Sequence, residues 1–149
     1  MNSTTIKSLR LPNALIARAN ERAETLGLSF TDVVVDALSS TLGAEREPRT
    51  ALLIEVANLL SSAFAENFPP DVTRQVFLEI QNNTTLLSLY KSAIKNERGE
   101  ETETTRSSVH RMVGKVIKRV LHCEVTGRAI CPDPEELIGS YALLAPAAS

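Results

Sequence analysis

Thr4-Thr5-Ile6-Lys7-Ser8-Leu9-Arg10-Leu11-Pro12 is the stretch on which the fold turns. Polar and apolar residues alternate at its end, which places Leu9 and Leu11 on one face of a short strand closed by Pro12. Pro12 has no amide donor, and the first turn of a helix does not need one, so a helix is expected from that point. From about Pro12 to Leu26, the residues Leu15, Ile16, Ala19, Ala23 and Leu26 form one apolar stripe, and Gly27 supplies the stop. Ser29, with Asp32 three residues on, approximates a capping box for a second helix. That helix is expected to bury Phe30, Val33, Val34, Ala37, Leu38 and Leu42 and to end at Gly43.

One strand and two short helices cannot support themselves. A lone strand leaves its backbone donors and acceptors unpaired, and so short a segment has too little apolar area for a monomer. A second copy meets both needs: two strands pair antiparallel across a two-fold axis, over four interlocked helices. Dimerisation is therefore expected on physical grounds.

The order strand, Pro, helix, Gly, helix resembles the ribbon-helix-helix family of DNA-binding proteins, the Arc and MetJ type. The residues that carry the resemblance are Ile6 to Pro12, then Leu15, then Gly27-Leu28-Ser29, then Val34, Ala37 and Leu38, roughly the first third of the chain. The resemblance implies a two-stranded ribbon that enters the major groove with its outward residues on base edges. With Leu9 and Leu11 inward, the outward set is Ile6, Ser8 and Arg10. Arg can bond bidentately to guanine, Ser can donate or accept, and Ile can touch a thymine methyl. Ile is an unusual base reader in this family, so specificity is expected to rest on Arg10 and Ser8. Lys7 is expected to reach phosphate. The resemblance also implies a phosphate held at the amino terminus of the second helix, here Ser29, Phe30 and Thr31, with Asp32 opposing it.

Working outward, Ala44-Glu45-Arg46-Glu47-Pro48-Arg49 is charged and breaks the periodicity, which reads as a linker between a module at 1–43 and a helical domain at 50–149. Helices are expected over 50–66, 70–82, 85–96 and 107–122, with a solvated loop at 97–106. The helix at 50–66 is apolar nearly all round, as in a domain centre or a subunit contact. Asp133-Pro134-Glu135-Glu136 reads as a helix start, so a short last helix to Leu144 is expected, followed by a fraying tail. The fold class that follows is mostly α: a ribbon-helix-helix module ahead of an all-α domain.

Aromatic residues make up 4% of the chain and Trp is absent, so the cores must be built from Leu, Ile, Val and Ala. The net charge of −2 excludes a polycation that coats nucleic acid by bulk charge, but not a local docking surface. Against that balance, Arg106, Arg111, Lys115, Lys118 and Arg119 follow one another with no acid until Glu124. They form a candidate second basic patch for phosphate, weighed against an ordinary solvated helix face. His110, His122, Cys123 and Cys131 match no metal-ligand spacing, and two cysteines make no disulfide framework. With no nucleophile–base constellation, no glycine-rich phosphate loop and no leader or spanning segment, neither catalysis, a cofactor nor a membrane is expected.

The function expected is a sequence-specific, cytoplasmic DNA-binding protein, a homodimer or higher oligomer acting as a transcriptional repressor on repeated half-sites. Its carboxy-terminal domain would serve cooperativity, a protein partner or an effector. The alternative is a DNA-architecture protein of a mobile element, at a transfer origin or in plasmid partition. An antitoxin ranks lower, because such proteins usually carry a short disordered tail instead of a folded extension.

Overall fold

The computed structural model describes residues 5–43, 47–64 and 66–147. The expected start of the strand at Thr4, the first half of the expected linker (44–46), position 65 near the end of the helix expected at 50–66, and the last two residues lie outside this set. Six helices are found among the described residues: α1 (Asn13–Leu26), α2 (Phe30–Thr41), α3 (Pro48–Ala63), α4 (Val72–Asn82), α5 (Thr84–Ala93) and α6 (Glu103–Leu121). A two-stranded antiparallel sheet follows, β1 (Cys123–Ile130) with β2 (Ser140–Pro146). No helix among the described residues is long and apolar enough to cross a membrane.

Gly27 ends α1 in the left-handed region at φ 68°, and its amide and that of Leu28 bond back to carbonyls of the last turn. Ser29 caps α2 in a complete capping box: its hydroxyl accepts from the Asp32 amide at 3.1 Å, and its own amide donates to the Asp32 carboxylate at 3.4 Å. Pro48 stands in the first turn of α3, so this helix starts within the stretch expected as linker and ends at Ala63, short of the expected 66. Leu52, Leu53, Val56, Ala57 and Leu60 of α3 are all buried, against α1, α5 and α6. The nearly all-round apolar character of this helix is thus taken up inside the chain. Ala23, Leu28 and Val33 of the first 43 residues join the same continuous core as α3 to α6 and β2.

Two expectations are corrected. The loop expected at 97–106 is shorter, because α6 begins at Glu103. Thr102 and Thr105 cap it reciprocally, and Glu103 sits in the first turn, favourably placed for the helix dipole. Asn96 organises the turn before it, its side-chain oxygen accepting from the amides of Arg98 and Glu100.

The second correction concerns the carboxy-terminal region, which is not all-α: a β-hairpin takes the place of the last helix expected at 133–144. The Asp-Pro-Glu-Glu signal is spent on a turn. Asp133 accepts from the Glu135 amide through its side chain and from the Glu136 amide through its carbonyl, while Glu136 bonds back to the Asp133 amide. Arg74 of α4 then takes the Glu136 carboxylate through two nitrogens, at 2.8 and 3.4 Å. Beyond Gly139 the chain pairs with β1 from Ser140 opposite Ile130 to Pro146 opposite Cys123, with a bulge between Val125 and Gly127. Ala145 and Pro146, expected to fray, are therefore paired. Leu144 is buried, and its amide donates to the Pro70 carbonyl at 3.0 Å, fixing β2 to the start of α4.

Candidate nucleic-acid interface

Residues 5–12 lead into α1 without a hydrogen-bonded strand partner among the described residues. Ile6, Lys7, Ser8, Leu9 and Arg10 are all exposed, Ile6 at 96% and Leu9 at 69%. The Pro12 carbonyl accepts from the Leu15 and Ile16 amides and so joins this segment to α1. The apolar face of the module is likewise unfilled. Leu15, Val35, Leu38 and Leu42 are exposed, Leu42 at 77%, whereas the described residues from Glu47 onward expose only Val125 and Ile130 among large apolar side chains.

At the amino terminus of α2, Ser29 and Thr31 are exposed and Phe30 is half-buried. The capping box occupies the Ser29 hydroxyl and the Asp32 amide, leaving Phe30 and Thr31 as first-turn donors with no partner inside the helix. Lys115 and Arg119 of α6 line a groove of about 160 Å³ together with Ser29 and Asp32. Arg119 donates to the Gly27 carbonyl at 3.3 Å. Arg106, Arg111 and Lys118 of the same helix are not among the residues lining this groove.

Arg106, Arg111 and Lys118 line a second, open cleft of about 920 Å³ between α6, α4 and the hairpin. Arg128 of β1 completes the cationic lining, and Glu103 is the one carboxylate there. At the α6 wall the Tyr90 hydroxyl and His110 Nε2 are 2.6 Å apart, and the Phe77 ring meets His110 edge-on. Burial lowers the His110 pKa, and the Arg106 charge lowers it further; burial pushes the Tyr90 hydroxyl up to about 12. Both groups are therefore neutral at neutral pH.

Compared with protein-family models, curated proteins and solved structures, the chain matches none. Its reading rests on its own residues.

The five cations expected as a single patch line two openings, Lys115 and Arg119 the groove at the α1–α2 turn and Arg106, Arg111 and Lys118 the cleft at the hairpin, with Lys115 one helical turn from both Arg111 and Lys118. Arg128 was missed because it belongs to a strand in a region expected to hold no strand. Gly114 was missed as well: it lines the cleft halfway along α6, and only its neighbours fit the apolar spacing that defines the helix. Among the described residues, no group of three or more His, Cys, Asp or Glu side chains is arranged to hold a metal ion. Burial raises the thiol pKa of both Cys123 and Cys131.

Proposed function

We propose that the protein is a sequence-specific DNA-binding protein that acts as a homodimer through residues 1–43, in the manner of a transcriptional repressor. One observation carries this reading. The segment 5–11 has no strand partner among the described residues, and the adjoining helices leave Leu15, Leu38 and Leu42 exposed. A second copy would supply both missing partners at once, pairing the two segments antiparallel and covering the apolar side chains. In that arrangement Ile6, Ser8 and Arg10 face the major groove as base readers, and Lys7 reaches the backbone. The donors of Phe30 and Thr31, beside Lys115 and Arg119, supply phosphate contacts. The folded extension from α3 to β2 weighs against an antitoxin with a disordered tail.

The test is to incubate the purified full-length protein with fragmented genomic DNA of its host at physiological salt and sequence what is retained. Sharp peaks containing repeated half-sites support the reading. Peaks at promoters favour repression, and peaks at a transfer or partition locus favour an architectural role. Retention spread evenly over all fragments, and lost on modest addition of salt, would remove the basis for sequence recognition.

A further inference from the structure

The cleft between α6 and the hairpin has a character that DNA recognition by the ribbon does not explain. Its α6 wall presents Glu103, Arg106, His110, Gly114 and Lys118, which recur every three or four positions and therefore share one face, with Arg111 beside them. Among the described residues, no carboxylate lies within ion-pair distance of Arg111, Lys118 or Arg128. Arg128 is steadied by a bond to the Ser140 hydroxyl at 3.1 Å. Arg106 alone of the four cations is paired, with Glu101, at an exposed site.

Gly114 is the second observation. In a helix interior, Gly is less favourable than Ala by about 1 kcal/mol. A glycine retained there usually allows another element to pack closely, yet a Cβ built at Gly114 meets nothing within 4 Å. Among the described residues, none requires this position to lack a side chain. Its effect is to keep the cleft open at mid-helix, between the cations Arg111 and Lys118. The hairpin side of the cleft sets the apolar residues Ile130, Ile138 and Ala142 beside Arg128 and Ser140.

We propose that this cleft binds a small organic phosphate of nucleotide size, its charged groups on Arg111, Lys118 and Arg128 and its apolar body against the hairpin over Gly114. The volume lies at the upper end of the range for small-molecule sites. Several unpaired cations call for a multiply charged anion, and the apolar wall calls for more than bare phosphate. The His110 ring, held by Tyr90 and neutral, adds a polar group without opposing charge. This goes beyond the DNA-binding reading and does not depend on it.

The test is calorimetric titration of the full-length protein at about 0.15 M salt, with ATP, inorganic tripolyphosphate and adenosine as separate probes. The result expected is saturable binding of one ATP per chain, with tripolyphosphate and adenosine each on the order of tenfold weaker or more. Lys118→Gln with Arg128→Gln should weaken ATP on the order of tenfold or more. Gly114→Leu should abolish binding while the melting temperature stays at or above that of wild type. The proposal is overturned if ATP does not bind, if tripolyphosphate binds as tightly as ATP, or if binding survives in a folded Gly114→Leu protein. It is also overturned if a DNA duplex displaces ATP and the duplex is the ligand whose affinity falls in both variants, because the cleft would then be a nucleic-acid contact.

Discussion

The Tyr90 hydroxyl and His110 Nε2 lie 2.6 Å apart, joining α5 to α6 across a partly buried site beside Phe77. Burial and the Arg106 charge hold the His110 pKa below its ordinary value of 6.5. Protons therefore bind the unfolded chain more readily than the folded one as pH falls through 6.5, and stability drops with them. The contribution is fully present above that pH. Replacing His110 by Gln is expected to flatten the melting temperature between about pH 7 and pH 5. Calorimetric scans of wild type and variant across that window check this, and equal slopes would remove His110 as the cause.

Gly27→Ala is expected to be strongly destabilising. Gly27 has φ 68°, and an added Cβ would stand 3.1 Å from the Val116 Cα, a backbone atom that cannot swing aside. Left-handed backbone alone disfavours a non-glycine residue by roughly 1–2 kcal/mol, and the collision adds to that. Urea denaturation should show a loss of about 2 kcal/mol or more. A loss no larger than that of Gly43→Ala, where a Cβ meets nothing within 4 Å, would mean that α6 yields at Val116.

Leu38→Glu and Leu42→Glu should convert the proposed dimer into a monomer without unfolding residues 47–147. Both side chains are exposed in the single chain, so the substitution meets no packed neighbour within it. Between two copies the same carboxylates would be buried without partners. Light scattering coupled to gel filtration measures the mass. An unchanged dimer mass would move the subunit contact away from this face.

Arg10→Ala should weaken binding to a specific site by about 1–3 kcal/mol and relax preference at one base pair, and Lys7→Ala should weaken all sequences alike. Titrations of specific and scrambled duplexes at several salt concentrations separate the two effects. If Arg10→Ala discriminates as well as wild type, the outward set is not Ile6, Ser8 and Arg10.

The helical part of the fold was legible because its signals are local. Gly27, the Ser29–Asp32 pair and the apolar spacing along α1 to α5 act within a turn or two, and the helices lie close to where these features place them. The hairpin was illegible for the opposite reason. Cys123 meets Pro146 only once the chain has turned back, while Asp133-Pro134-Glu135-Glu136 satisfies a helix-start pattern on its own. The bonds of that pattern do form, but they close a turn, and Arg74, distant in sequence, takes the Glu136 side chain. The basic run on α6 was equally plain as a run. Which of its cations line the groove and which the cleft follows from what packs against α6, the α1–α2 turn and the hairpin, and neither contact is written in the run itself.

The seat of Gly27 and Leu28 beside Leu53, Met112 and Val116 also bears on how such a chain can be recombined. Cutting at residues 44–49 divides the sequence but not the molecule, since it would bare apolar surface on both pieces. A reading head of this build cannot be exchanged as a cassette. If residues 1–43 read DNA as proposed, new specificity is more readily reached by changing Ile6, Ser8 and Arg10 in place, where all three side chains are exposed.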